Sequence, residues 1–506
     1  MPSVAGSLWE HAAARPDAVA IRAGADAWSY ARLRNASAAF GGELRAHGVR
    51  AGDRVLLVAP TVPEFVVVYL GAQLIGAVVI TMNTMATTPE IDYVVGDSGT
   101  RLLVAWHEAR EPAQRVADER ALHLRVLGPG AVAEEGEPVH NPADLDRQST
   151  AVLLYTSGTT GRPKGVELTV ANIVDTARTF VEQLHLTSDD RCGTGLPLFH
   201  VFGQAACLNS ALQAGCSISL LAPFEPVAML EMIRRDRLTM VAGVPTMWNA
   251  MLHVAGDFGP DDFADLRMAS SGGASLPGEV LSAFSERFGC TILEGYGLTE
   301  STAAATSNTA EQQRIGSVGR PLPASAVEIR DPEGAVLPAG EVGEVHLRGP
   351  SVMKGYWNRP EETAADLVDG WLKTGDLGRL EDGYLYIVDR AKELIIRGGY
   401  NVYPREVEEV LYQHPDIVEV AVIGVPDERY GEEVAAVITA RPGAEVTPEE
   451  LRVWAKEKLS AYKVPHLIRF VDALPKGPTG KIQKRALDWE GLTNASCSAQ
   501  QRFPVS

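Results

Sequence analysis

Cysteine is scarce in this chain. Five occur, at 192, 207, 216, 290 and 497, with no C-x-x-C pair and no spacing suited to a metal. A disulfide framework and a zinc module are therefore excluded as readings, and the thiols fit buried positions in a reducing compartment. Positive charge is also in deficit: 46 Lys+Arg stand against 65 Asp+Glu, for a net charge of −19. Nucleic-acid binding needs clustered lysine and arginine, so that class of partner is excluded, although a local basic tunnel for a phosphorylated ligand is not. The opening MPSVAGSLWEHAAARPD lacks a basic stretch followed by an apolar one, and so does not read as a secretory signal. Long apolar runs are missing too. The one uncharged run, Phe65 to Met82, is broken by Gly71, Gln73 and Gly76 and ends on the strand-like Ala77-Val78-Val79-Ile80. It reads as a buried helix, a glycine turn and a core strand rather than a membrane span. No internal repeat is visible. The expectation is a cytosolic protein with no integral membrane association.

What is present is ordinary globular material on a large scale. The 506 residues carry 45% apolar and 22% charged side chains, enough for several lobes around a sizeable core. From about residue 5 to 390, helical patterns alternate with short apolar strands. Thr169 to Leu184 puts Val170, Ile173, Val174, Ala177, Val181 and Leu184 on one helical face. Ser217 to Leu221 reads as a strand. This alternation predicts layered α/β sheets in a large multi-lobed N-terminal domain, residues 1–390. Near residue 320 the texture becomes β with turns, including 326–330 and 344–348, which predicts a small β subdomain. From 391 to 488 the pattern is that of a small α+β domain: a strand-like IIRGG, a helix near 405–412, strands near 418–424 and 433–440, and a helix near 448–460. Residues 489–506 are polar and without pattern, the composition of a disordered tail.

The stretch 155–165, YTSGTTGRPKG, combines glycines, hydroxyls and one lysine. That is phosphate-binding chemistry, but not a Walker A loop. There the lysine follows the glycine directly and a hydroxyl follows the lysine, whereas Arg162 and Pro163 separate Gly161 from Lys164, and Gly165 comes next. The apolar run 151–155 reads as a strand entering the loop, and the alternating 166–170 reads as a strand leaving it. A strand–loop–strand unit puts no helix N-terminus behind the phosphates. Backbone N–H groups, hydroxyls and a mobile lysine would have to hold them instead.

Further segments follow in order: Pro197-Leu198-Phe199-His200-Val201-Phe202-Gly203, Ser271-Gly272-Gly273-Ala274, Tyr296-Gly297-Leu298-Thr299-Glu300, Lys373-Thr374-Gly375-Asp376-Leu377, Asp389-Arg390-Ala391-Lys392 with Ile395-Ile396-Arg397-Gly398-Gly399, and Pro478-Thr479-Gly480-Lys481-Ile482. Taken singly, each has a bland explanation: a core histidine, a packed tyrosine, a solvated glutamate, a structural ion pair, a hairpin. Together and in this order they resemble the acyl-adenylate-forming superfamily, which holds acyl-CoA synthetases, adenylation domains of peptide synthetases and beetle luciferase. The resemblance runs from about residue 5 to 488 and points to its AMP-forming acyl-CoA synthetase branch.

The resemblance implies roles residue by residue. Thr156, Ser157, Gly158, Thr159, Thr160, Gly161 and Lys164 would hold the ATP phosphates. Gly272, Gly273, Ala274, Glu294, Gly295, Tyr296 and Gly297 would surround the AMP moiety, with Tyr296 as an aromatic wall for adenine. Asp376 and Arg390 would hold the ribose hydroxyls. Glu300, with Thr299 beside it, would hold Mg²⁺, an ion satisfied by one or two carboxylates with phosphate and water. His200, Val201, Phe202 and Gly295 would line the acyl pocket, and Lys481 would be the adenylation lysine. Lys392 matches the hinge on which the C-terminal module turns, and Gly398-Gly399 the opening of the pantetheine tunnel for coenzyme A. Some relatives have a lysine where Ile396 stands, so no thiolation role is carried to that position.

The implied reaction brings a carboxylate to the α-phosphate of ATP, two anions that must be neutralised and aligned. Acyl-AMP and pyrophosphate form first, and coenzyme A then takes the acyl group. Relatives acting on malonate-type acids have an arginine directly before the tyrosine of the YG-x-TE segment; Gly295 stands there in this chain. That favours a monocarboxylic acid with an apolar tail, a medium- or long-chain fatty acid in first place and an aryl acid such as a cinnamate or benzoate second. A free-standing carrier protein is the alternative acceptor, since the stretch after 488 is too short for a fused carrier. A non-catalytic nucleotide-binding protein is the reading from another class, against which Lys164, Glu300 and Lys481 speak. A monomer or homodimer is expected.

Overall fold

The structure, a computed structural model, describes residues 3–131, 133, 136–156, 162–487 and 489. Ser157, Gly158, Thr159, Thr160 and Gly161, together with Cys497 and the 490–506 stretch, lie outside the described residues.

Two large sheets dominate. One has seven strands in the order Gly355–Tyr356, Lys164–Thr169, Thr150–Thr156, Val78–Met82, Arg54–Val58, Leu102–Trp106 and His123–Leu127. Its Val78, Arg54, Leu102 and His123 strands run parallel, and Lys164–Thr169 returns antiparallel on Thr150–Thr156. The other has nine strands, with a parallel centre of Ile292–Tyr296, Met268–Ser271, Met240–Gly243, Arg191–Thr194, Ser217–Leu220 and Val19–Ala23. Parallel strands need covering on both faces, and the apolar residues here supply three layers of core. The main one lies between the sheets and joins Leu57 and Val79 of one to Ile21, Ile218 and Met240 of the other. A second packs Trp248, Phe284 and Phe288 beneath Val241, Ala269 and Ile292, and a third packs Ile91, Val94 and Val116 on the outer face of Leu56, Ile80 and Leu103.

The uncharged run resolves into the helix Pro63–Leu74 and the strand Val78–Met82. Gly76 makes the turn between them with φ of +78°, a conformation that costs glycine nothing. Among the described residues no helix is long and apolar enough to cross a membrane. The predicted 169–184 helix forms over Val170–Gln183, started by Thr169, whose hydroxyl accepts from the Asn172 N–H.

Antiparallel strands Ala326–Arg330, Gly343–Arg348, Trp371–Glu381 and Tyr384–Arg390 form a third sheet. A fourth, built from Ile395–Arg397, Tyr400–Val402, Ile417–Asp427, Gly431–Ala440 and Leu467–Phe470, carries the C-terminal lobe. The helices Pro404–Tyr412 and Pro448–Lys456 cover its apolar face through Val407, Leu411 and Leu451. The second helix begins at a Thr447–Glu450 capping box and stops at Lys456, short of the 460 expected. Leu459 leaves the helical path to pack against the lobe's core. The fold is thus mixed α/β, with a large N-terminal part and a smaller C-terminal one.

Candidate active site

The segment holding His200 sits where the two large sheets meet. Thr61 and Thr81, at strand ends of the seven-stranded sheet, anchor it: the Leu198 N–H donates to Thr61 Oγ1 at 3.0 Å, and Thr81 Oγ1 donates to the Phe199 carbonyl at 2.8 Å. His200 Nδ1 accepts from the Phe202 N–H at 3.3 Å, which leaves the proton of the neutral ring on Nε2. Burial, with the Lys481 charge second, pushes the His200 pKa down to about 3, so the ring is neutral at physiological pH. A π-helix, Phe202–Asn209, follows. Such wide turns are rare and concentrate at functional sites. Val201 is buried in the main core, and the Phe202 ring lies over Gly272, whose added Cβ would meet it at 3.3 Å.

Strands of the nine-stranded sheet deliver the next groups from their C-terminal ends. Met268–Ser271 leads into Gly272-Gly273-Ala274, and Ile292–Tyr296 into Gly297 and Thr299. Gly273 has φ of +81°, and a Cβ there would come 2.8 Å from Lys481 Cε and 3.0 Å from its Nζ. Gly297 is demanded by crowding, because its Cβ would fall 2.3 Å from the Ala303 carbonyl carbon. Around Gly295 the nearest atom to an added Cβ is the Thr306 carbonyl at 3.2 Å. Tyr296 donates its hydroxyl to Asp376 Oδ2 at 2.5 Å. Asp376 stands opposite Arg390 in the antiparallel register of the third sheet, with Arg390 Nε 3.5 Å from its Oδ1. Burial raises the Asp376 pKa, against the pull of Arg390.

Lys481 arrives from the C-terminal lobe. Its loop is held by Thr246, whose hydroxyl donates to the Gly480 carbonyl at 2.7 Å. Burial and the Arg390 charge lower the Lys481 pKa to about 8, and Asp376 opposes them. His200, Gly273, Asp376, Arg390 and Lys481, scattered over the sequence, therefore meet in one place.

The expected phosphate side gathers on Tyr356. Its hydroxyl reaches Glu300 Oε1 at 3.4 Å and Asp366 Oδ2 at 3.1 Å, and its ring lies 4.6 Å from Lys164 Nζ. Lys164 is buried there, not the mobile side chain that the sequence suggested, because the aromatic face shelters its ammonium. Thr156 pairs with Lys164 across the antiparallel ladder and closes the base of the loop, as a strand–loop–strand unit requires. Burial raises the Glu300 pKa. Among the described residues no three His, Cys, Asp or Glu side chains form a metal cage. Glu300 beside Thr299, with Asp366 on the same tyrosine hydroxyl, would suit an ion that takes one or two carboxylates and draws its other oxygens from phosphate and water, so the donor set fits Mg²⁺.

Glu294 and the Gly398–Gly399 pair are placed differently from the residues above, while Lys392 adjoins the centre, within reach of the Asp376 and Arg390 charges. Glu294 has its carboxylate engaged by the Leu276 N–H at 3.1 Å and its carbonyl by the Asn308 N–H at 2.9 Å, so neither faces the pocket beside Tyr296. Gly398 and Gly399, at φ of +58° and +84°, make an exposed hairpin turn, with Gly398 beside Tyr430. Lys392 lies in the short turn Ala391–Glu393 that joins the third sheet to the fourth. Sequence reasoning missed Thr246, Tyr356 and Asp366, which sit in segments with no pattern of their own. It also missed Asn249, which donates to the Val418 carbonyl at 2.9 Å across the lobes.

Comparison with known proteins agrees with this geometry. The family described as AMP-binding enzyme matches residues 8–357, and the AMP-binding enzyme C-terminal domain matches residues 406–481. A feruloyl-CoA synthase of Amycolatopsis sp is 38% identical over 473 residues, covering 93% of this chain and 95% of that protein. A long-chain-fatty-acid–CoA ligase of Bacillus subtilis (strain 168) is 34% identical over 492 residues, covering 89% of this chain and 88% of that one. Among solved structures, ATP-bound MatB from Rhodopseudomonas palustris superposes with a TM-score of 0.89 at 34% identity, covering 95% of this chain and 97% of that one.

Proposed function

Because the chain belongs to the AMP-binding enzyme family and is an AMP-forming acyl-CoA ligase that uses ATP and coenzyme A, we propose that its residues divide the reaction as follows. Lys481 bridges the substrate carboxylate and the ATP α-phosphate. His200, neutral and carrying its proton on Nε2, donates to the carboxylate and lines the acyl pocket with Val201, Phe202 and Gly295. Asp376 and Arg390 hold the ribose, and the flat face of Tyr296 covers the adenine. Thr156, the loop 157–161 and Lys164 hold the β- and γ-phosphates. Glu300 and Thr299 hold Mg²⁺, which supplies charge neutralisation at the pyrophosphate side. The observation that carries this reading is the approach of Lys481 to Gly273 beside the Asp376–Arg390 pair.

The second half-reaction has the C-terminal part, residues 391–488, turn about Lys392, withdrawing Lys481 and bringing the Gly398–Gly399 hairpin to the site. The exposure of that hairpin while Lys481 is engaged supports two arrangements that exclude each other.

For the acid we propose an aryl monocarboxylate. The Phe202 ring packs on Gly272 at the mouth of the strand that leads into the site, an aromatic wall on which a flat ring would stack. The feruloyl-CoA synthase relative supports the same class. A fatty acid is the second reading, supported by the Bacillus relative. The four cysteines among the described residues are buried free thiols, which fits a cytosolic site of action. The test is pyrophosphate release with ATP and Mg²⁺ over a panel of acetate, octanoate, palmitate, malonate, benzoate, cinnamate and ferulate, with and without coenzyme A. Release with the aryl acids alone is expected. Release rising with alkyl length would select the second reading, and turnover with malonate would overturn both.

A further inference from the structure

Three charged side chains at the seam between the C-terminal lobe and the nine-stranded sheet take no part in the reaction as proposed. Glu409, on the helix Pro404–Tyr412, accepts from the Gly278 N–H at 3.4 Å. Gly278 opens the helix Gly278–Phe288 on the other side of the seam, where an anion meets free N–H groups and the positive end of the dipole. The second Glu409 oxygen lies 3.9 Å from Arg405 Nε, one helical turn back. Glu294 faces the same helix, and its charged neighbours are Arg405 and Glu409. Arg405 is itself tied toward the hinge: its N–H donates to Asp389 Oδ2 at 3.0 Å and its guanidinium to the Ile387 carbonyl. The neighbouring Glu408 is already paired with Lys484 at 2.7 Å.

The placement matters more than the charges alone. Leu276 and Gly278 continue the Gly272-Gly273-Ala274 turn, and Glu294 directly precedes Gly295 and Tyr296. The helix thus grips both arms of the adenylate pocket from behind while its own lobe carries Lys481 to the front. The Arg405 charge acts on both the Glu294 and the Glu409 carboxyl, and burial raises the Glu294 pKa to about 7, which eases the approach of the two.

We propose that Arg405, Glu409 and Glu294 form a clamp that positions the C-terminal lobe, and with it Lys481, for acyl-AMP formation, and that opens for thioester formation. The proposal rests on the two-arrangement reading above. All three are positioning residues, since none touches a reacting atom.

The test uses the full chain with Glu409→Ala and Glu409→Gln, and the acid that turns over best in the panel. Adenylation is read as acid-dependent ATP–pyrophosphate exchange, and the second step as thioester formation from supplied acyl-AMP. Glu409→Ala should lower the exchange kcat about tenfold, the scale of one lost hydrogen bond to a charged group. The thioester rate should hold, and Glu409→Gln, which keeps an oxygen for Gly278, should recover most of the exchange. Hydrogen exchange at the start of the 278–288 helix should quicken in Glu409→Ala. Equal loss of both steps, or no loss in either, would overturn the clamp. Lys481→Ala run in parallel separates the two ideas. If it loses both steps, the two-arrangement reading fails whatever Glu409 does. If it loses only adenylation while Glu409→Ala loses neither, the clamp alone fails.

Discussion

Lys481 lies directly against Gly273: a Cβ added to Gly273 would stand 2.8 Å from the lysine Cε and 3.0 Å from Nζ. The glycine also has φ of +81°, so alanine there is strained by its backbone as well as by its neighbour. Gly273→Ala should lower adenylation by about 10²-fold, the usual cost of displacing a reacting group by an ångström. Single-turnover acyl-AMP formation checks this. A variant within twofold of the parent would show that Lys481 does not work from this position.

Removing the lysine itself should divide the reaction. Lys481→Ala should lose about 10²–10³ in acyl-AMP formation, the scale of a preorganised charge donor, and convert supplied acyl-AMP to thioester normally. The two half-reactions measured separately give the answer.

The pH profile should report the same ammonium. The Lys481 pKa is lowered to about 8, and the protonated form is the one that neutralises two anions. The kcat/KM of adenylation should therefore be flat below this value and fall as pH rises through about 8. Lys481→Arg, weaker overall, should lack the limb, because a guanidinium keeps its proton throughout.

Tyr296→Phe deletes the hydroxyl that donates to Asp376 at 2.5 Å. Asp376, buried and facing Arg390, then loses the donor that helps aim it at the ribose. The KM for ATP should rise about tenfold with the KM for the acid unchanged, as initial-rate kinetics with each substrate varied would reveal.

Thr246 offers a test of docking that leaves the C-terminal lobe untouched. Thr246→Val keeps the volume and removes the hydrogen bond to the Gly480 carbonyl. Acyl-AMP formation should slow about tenfold while thioester formation from acyl-AMP stays as it was.

Much of this was legible before folding. The Phe65–Met82 run announced its own break at Gly76, and the apolar spacing of Val170, Ile173, Val174 and Ala177 marked the helix that follows the phosphate-loop strands. The apolar run before the loop and the alternating run after it predicted a strand on each side, and in the structure the two pair antiparallel, Thr156 opposite Lys164. Lys164 was misjudged because nothing in its own segment shows that Tyr356, far along the chain, covers its ammonium. Glu294 was grouped with Tyr296 by adjacency, yet its carboxylate is taken up by the Leu276 N–H, a contact that nothing in its own segment shows.

Local order is what the sequence determined by itself: periodicity set the strands and helices, glycine and capping residues set their ends, and the run of motifs set the chemistry. Those signals act within a few residues and survive being read in one dimension. The meeting of Lys481 with Gly273, of Tyr296 with Asp376 and of Glu409 with Gly278 was decided only by the tertiary structure. Such contacts depend on how two sheets and a separate lobe pack. Packing energy is spread over a core of many interchangeable apolar side chains, and no single one of them carries the address of its partner.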